Sequence, residues 1–254
     1  MSNKEITIYD IAEKLDISAA TVSRALKDHP AVNQKTKKRI LDLAEELGYR
    51  SNKFASDLRK KKTNTLGVIV PRLNSLFMSS VIAGIEKVAN AKGYNLIISQ
   101  SLEQSSREKA NTVTMFNNRV DGLIVSLASD TEDYSHFNLF LKRHIPLVFF
   151  DRVPAEINAT KVLIDNNKAG YLATKHLIAQ GCKSIMHITG NLSRNVYQDR
   201  FEGYKMALEE AGLSFGEDML FSNDLSEGAI QEAINAILKL KKLPDGLFIT
   251  NDTS

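Results

Sequence analysis

A single cysteine, Cys182, occurs in 254 residues, so no disulfide can form within the chain. The opening residues MSNKEITIYD lack the apolar core of a secretory signal. No uninterrupted apolar run approaches the roughly 20 residues needed to cross a bilayer. Together these absences exclude a membrane-spanning helix and point to a reducing cytoplasm. Catalytic signatures are missing as well. There is no G-x-G-x-x-G or P-loop pattern, and no Ser/His/Asp or Cys/His grouping at a recognisable spacing. His136, His144, His176 and His187 fall on different predicted elements, so no metal site is expected. Neither an enzyme nor a bound cofactor is indicated.

What is present is unevenly distributed. The chain is 43% hydrophobic and 25% charged, ordinary for a soluble protein of more than one domain, with a net charge of +3. Residues 1–62 hold 14 Lys/Arg against 9 Asp/Glu, a net of +5, whereas the remainder holds 19 against 21, a net of −2. Such asymmetry fits a first segment that meets a polyanion, although a solvated basic face gives the same count.

From Ile6 to Gly48 three short helical patterns follow one another without strand-like alternation. Thr7, Ser18 and Asn33 are placed to cap them, and Gly48 ends the third. The polar, basic stretch RSNKFASDLRKKKTN, 50–64, reads as a linker with a turn or two of helix from Asn52. From Thr65 the texture changes to short apolar runs, TLGVIV, YNLIIS, DGLIVSL and IPLVFF, separated by helical stretches. A further run, KVLI, precedes a second set. It comprises a helix over 168–180, SIMHIT, a helix over 200–211, DMLFS, a helix over 227–240 and GLFIT. Strands apolar on both faces and alternating with helices predict parallel sheets covered on each side. The series stops directly after a strand, which predicts a second block of three strands with an unpaired edge.

A helix ending at Leu15, a tight turn and a second helix from Ser18 have the proportions of a helix-turn-helix, whose second helix enters the major groove. The side chains of ISAATVSRAL suit that role. Ala19 and Ala20 allow close approach to base edges, Arg24 can contact guanine with two hydrogen bonds, and Thr21 and Ser23 can reach phosphate or base. Without DNA, the same residues read as core, cap and solvated surface.

The stretch ITIYDIAEKLDISAATVSRALKDHPAVNQKTKKRILDLAEELGYRSNKFASDLRKKKTNTLGVIVP resembles the head of a lactose/galactose repressor family transcription regulator. The resemblance continues through VDGLIV, IPLVFFDR, DNNKAGYLATKHLIAQG, DRFEGY and TND. It implies a helix-turn-helix DNA-binding domain over 1–50, a hinge helix over 51–64 and a two-lobed, periplasmic-binding-protein-like effector core over 65–254. The lobes divide near 164/165. It implies DNA contacts from Thr7, Ser18, Ala19, Ala20, Thr21, Ser23, Arg24, Lys27, Asn33, Thr36 and Tyr49. In the hinge, Asn52 is the implied cap, Ala55 lies on the DNA-facing side, and Leu58 is the wedge that enters the minor groove and bends the duplex. Three positions depart from the family pattern. Ser51 replaces the usual proline and Ser56 a common arginine, which predicts a less pre-ordered hinge with fewer phosphate contacts. Asp16 stands where glycine is frequent in the first turn, and aspartate tolerates the left-handed conformation.

The same resemblance implies a ligand held between the lobes, beyond the carboxyl ends of the strands. Leu76, Phe77, Ser129, Asp151, Arg152 and Asp165 are the implied contacts from the first lobe and its boundary, with Arg200 and Asn251 from the second. Each has a structural alternative: Asp165 can cap the helix near Asn166, Asp151 and Arg152 can pair, and Arg200 can lie on the surface. The resemblance also implies second-lobe elements beyond Ser254, so that this form is expected to have an incomplete lobe, weak ligand binding and exposed apolar surface. The expected protein is a dimeric repressor of a pseudo-palindromic operator that responds to a sugar-like effector. A fragment that binds DNA without effector response, a sugar-binding protein and a doubly wound enzyme are the alternatives.

Overall fold

The computed structural model describes residues 6–49, 62–240 and 242–251. The chain divides into two compact units, residues 1–62 and 63–254. In the first, α1 (Ile8–Leu15), α2 (Ala19–Ala25) and α3 (Gln34–Glu46) each begin at a capping side chain. Thr7 Oγ1 accepts from the Asp10 N–H, and the Asp10 carboxylate accepts from the Thr7 N–H at 2.7 Å. Ser18 accepts from the Thr21 N–H at 3.1 Å and Asn33 from the Thr36 N–H at 2.8 Å. These bonds satisfy donors that a helix leaves free at its start. Asp16 closes α1 in the left-handed region, φ 52°, which turns the chain into α2. Ile11, Val22 and Ile40 are fully buried at the centre of the three helices.

The second unit carries two parallel sheets. Strands β1 (Thr65–Val70), β2 (Asn95–Gln100), β3 (Gly122–Val125), β4 (Leu147–Phe150) and β5 (Thr160–Val162) form one, in the order β2-β1-β3-β4-β5. Helices α4 (Leu76–Ala91), α5 (Ser105–Asn117) and the short α6 (Asn138–Lys142) belong to this first lobe. Side chains alternate across its sheet. Ile69 packs into a core with Met115, Leu123, Phe137 and Phe149, while Val68 and Val70 pack on the other face with Met78 and Phe150.

The second lobe has β6 (Ile185–Thr189), β7 (Leu220–Ser222) and β8 (Gly246–Ile249) in the order β7-β6-β8. Its helices are α7 (Asn166–Ala179), α8 (Asn195–Glu210) and α9 (Glu227–Ile237). All five residues of the central strand β6 are buried. Helices α7 and α8 meet at two glycines. A Cβ on Gly170 would lie 2.1 Å from the Arg200 carbonyl oxygen, and one on Gly203 would lie 2.0 Å from that of Asn167.

Several boundaries differ from the sequence expectation: α9 ends at Ile237 rather than 240, α7 starts at Asn166 rather than 168, β7 is confined to Leu220–Ser222, and two further differences have a visible cause. β5 occupies 160–162 rather than 161–164, since it is an edge strand paired with β4 alone and Leu163 and Ile164 run on exposed. α8 starts at Asn195, five residues before 200, with no side-chain cap bond at Arg194. The N-cap position holds Arg194, a side chain with no acceptor for a cap bond, and the Asn195 side chain after it accepts from the Val153 N–H and donates to the Asp151 carbonyl.

Candidate functional site

The first unit presents one outward face built by α2. Val22 and Ala25 enter the core, while Ala20 and Arg24 are exposed four residues apart on the helix and Lys27 is exposed in the turn that follows it, with half-buried Thr21 and Ser23 flanking them. The two alanines therefore separate. Ala19 packs against the helical core and Ala20 faces solvent. The Ser18 and Thr21 hydroxyls also bond to each other at 2.9 Å. Thr7 and Asn33 act as caps, Thr36 is half-buried, and Tyr49 packs against the core, where burial raises its phenol pKa. Asn52, Ala55 and Leu58 lie outside the described residues. Sequence reasoning passed over Tyr9, which α1 leaves exposed beside this helix pair.

The second unit has a cavity of about 360 Å³ where loops at the carboxyl ends of strands from both lobes converge. The first lobe supplies Glu103 after β2, Ser129 and Asp130 after β3, and Arg152 after β4. The second supplies Gly190 and Asn191 after β6, Tyr197 from α8, and Ser222, Asn223 and Asp224 at the end of β7.

Arg152 joins the lobes. Its Nη1 donates to Glu103 Oε2 at 2.6 Å and its Nη2 to the Tyr197 hydroxyl at 3.0 Å, and the side chain is 12% exposed. Burial works against the guanidinium charge, but Tyr197 and Glu103 more than offset it and raise the pKa. Glu103 Oε2 also accepts from the Ser129 N–H at 3.0 Å. Beside Arg152, burial raises the Asp151 carboxyl pKa, opposed by Arg152, Arg200 and the Ser126 hydroxyl. Among the described residues no group of His, Cys, Asp or Glu could hold a metal ion. Hydroxyl, amide and carboxylate groups around a water-accessible cleft are suited to hydrogen-bonding a polar ligand.

Of the residues expected at the ligand, Ser129 and Arg152 line the cavity. Asp151 sits beside it, bonded to Ser126. Asp165 caps α7 by accepting from the Lys168 N–H at 2.9 Å. Arg200 lies within α8 and donates to Asn166 Oδ1 at 2.9 Å and to the Thr250 carbonyl at 2.6 Å. Asn251 is half-buried just after β8. Leu76 and Phe77, at the start of α4, are 74% and 46% exposed and do not line the cavity. The residues missed were Glu103, Asp130, Asn191, Tyr197, Ser222, Asn223 and Asp224. Applying the strand-end rule to every strand would have found the loops after β2 and β7.

Residues 7–52 match the family described as "Bacterial regulatory proteins, lacI family". Residues 63–254 match "Periplasmic binding proteins and sugar binding domain of LacI family". The catabolite control protein A of Priestia megaterium is 33% identical over 248 residues, 97% of this chain and 74% of that protein. The ribose operon repressor of Haemophilus influenzae is 32% identical, with the same coverage. The lac repressor dimer bound to operator and the anti-inducer ONPF superposes with a TM-score of 0.82. It covers 98% of this chain and 75% of that one at 23% identity, a likeness of fold. With both units matched and relatives a third identical along nearly its whole length, the chain belongs to the LacI family of DNA-binding transcription regulators.

Proposed function

We propose that the protein is a cytoplasmic repressor that binds a pseudo-palindromic operator as a homodimer and responds to a sugar held between its two lobes. The α2 face of Ala20 and Arg24, with Lys27 in the turn just beyond it, reads the major groove, with Arg24 on a base and Lys27 on phosphate. A two-fold operator calls for two copies of this face. The observation that carries the effector reading is the cavity itself, in which side chains of both lobes converge and Arg152 bridges to Tyr197. A ligand there acts on DNA binding only if it has different affinity for the two lobe arrangements. Thr63 and Asn64, at the start of the effector unit, both donate backbone N–H groups to the Asp121 carboxylate at 2.8 Å. The core-side end of the linker is thus fixed to the first lobe next to β3. Leu58, outside the described residues, is the proposed minor-groove wedge.

Anisotropy titrations of labelled operator and scrambled DNA at several salt concentrations, with and without sugars, test this reading. Sequence preference above a salt-steep background is expected, with operator affinity altered by sugar. Equal affinity for both DNAs would overturn the regulator reading. Operator binding that no sugar alters, with no sugar bound, would overturn the effector reading alone.

A further inference from the structure

The cavity carries three carboxylates, Glu103, Asp130 and Asp224, and one cation, Arg152. That cation is already engaged by Glu103 and Tyr197. Two other arginines, neither of them lining the cavity, have partners of their own. Arg72 lies 3.8 Å from Glu103 and acts electrostatically on Asp224, and Arg200 is bonded to Asn166 and the Thr250 carbonyl.

Backbone donors that would cradle an anion are filled in the same way. A phosphate group favours helix N-termini and free backbone N–H groups. At the start of α5 the Ser105 N–H donates to Asp130 Oδ1 at 2.6 Å. Just before α9 the Ser226 N–H donates to Asp224 Oδ1 at 2.9 Å. The Ser129 N–H is given to Glu103. The protein's own carboxylates thus stand where a phosphate would bind.

Glu103 is aimed by an unusual turn. Leu102 and Glu103 are consecutive non-glycine residues in the left-handed region, φ 51° and 62°. Such backbone is costly and persists only where the surroundings hold it. Here it brings one carboxylate onto both Arg152 and the Ser129 N–H.

Resting on the effector reading above, we infer that this cleft takes an uncharged polyhydroxylated ligand and rejects its phosphate ester, and that Glu103 sets the choice by occupying Arg152. A phosphate entering the cavity meets three carboxylates and no unpaired guanidinium. A neutral sugar meets carboxylate oxygens, which accept from hydroxyl groups, and the Asn191 amide; the Asn223 amide and the Ser222 hydroxyl are bonded to backbone groups of Leu225, Ala229 and Gly190.

The test uses the full 254-residue chain and calorimetry at low ionic strength. The probes are inorganic phosphate, glucose and ribose, glucose 6-phosphate and ribose 5-phosphate. For the wild type, each ester is expected to bind more weakly than its parent sugar, and inorganic phosphate not measurably. Glu103→Gln removes the carboxylate charge that neutralises Arg152 and is expected to raise affinity for inorganic phosphate about tenfold or more, a gain that Arg152→Gln removes in the double variant. The phosphate measurement stands whichever sugar is the natural ligand. Wild-type preference for an ester, or no phosphate gain in a folded Glu103→Gln protein, would overturn the inference and leave the effector reading intact. If Glu103→Gln does not fold, saturable phosphate binding by the wild type overturns the inference and its absence supports it. Sugar affinity indifferent to Asn191→Ala and Tyr197→Phe would instead overturn the cleft as the effector site.

Discussion

Glu108 Oε1 lies 2.9 Å from His136 Nε2, and both side chains are buried. The same carboxylate accepts from the Thr131 hydroxyl at 3.1 Å and, through Oε2, from the Ala128 N–H at 2.7 Å. One side chain of α5 thereby holds both ends of the turn that presents Ser129 and Asp130 to the cavity. A buried carboxylate is tolerated because its lone pairs are met by donors, and those donors in turn depend on it.

Removing that carboxylate strands three buried groups at once. Glu108→Ala is expected to lower stability by about 3–5 kcal/mol and Glu108→Gln, which keeps the volume and some of the bonds, by about 1–3 kcal/mol. Urea unfolding checks both. A loss below about 0.5 kcal/mol for Glu108→Ala, the range of ordinary surface substitutions, would show that the turn holds itself.

On the DNA-binding face, exposed Arg24 and Lys27 are expected to behave differently. Arg24→Ala should cost about 1–3 kcal/mol on the preferred operator and relax preference at one base pair. Lys27→Ala should weaken operator and scrambled DNA alike and reduce the log–log salt slope by about 1. Anisotropy across salt concentrations separates the two, and uniform weakening by Arg24→Ala would place that side chain on phosphate.

The glycines of α7 and α8 are fixed by contact rather than by helix propensity. Gly170→Ala and Gly203→Ala each drive a methyl into a backbone carbonyl and are expected to destabilise by at least about 1–3 kcal/mol. Gly84, within α4, has open space around its Cβ position, and Gly84→Ala is expected to stabilise by about 0.5–1 kcal/mol. Thermal melts of the three variants give the comparison. Equal behaviour would mean that α7 and α8 can separate at little cost.

What could be read from the sequence follows the range of each interaction. Thr7, Ser18 and Asn33 cap their helices because a cap bond spans three residues, all visible in one short window. The apolar runs of β1, β3, β4 and β6 likewise declare strands buried on both faces, whereas YNLIIS forms the edge strand β2, none of whose residues is fully buried. Glu103 was not legible: its partners Ser129 and Arg152 lie 26 and 49 residues away, and its aim depends on a left-handed turn without glycine. The start of α8 was missed for a related reason, since Asn195 bonds across to the first lobe. Leu76 and Phe77 were placed by the resemblance, and α4 turns them outward to solvent.

His187 makes the stability of the second lobe depend on pH. Its ring stacks against Phe248 at 4.5 Å and Tyr204 at 5.1 Å, its Nδ1 lies 3.1 Å from the Phe248 carbonyl, and its Nε2 is buried without a hydrogen-bond partner. The carbonyl requires a donor, so Nδ1 carries the proton of the neutral ring. Burial lowers the pKa from 6.5 to about 4; the Phe248 carbonyl opposes this and Arg200 adds to it. Because the unfolded chain binds this proton more readily, the folded state loses stability as pH falls from about 6.5 towards 4, and the contribution is fully present above 6.5. The loss by pH 4 is expected to reach roughly 3 kcal/mol. His187→Asn removes the titrating group and should reduce the difference in unfolding free energy between pH 7 and pH 4.5 relative to the wild type. Comparing the two proteins cancels the shared carboxylate titrations. Identical pH profiles would show that the unfolded chain and the folded core protonate this ring alike.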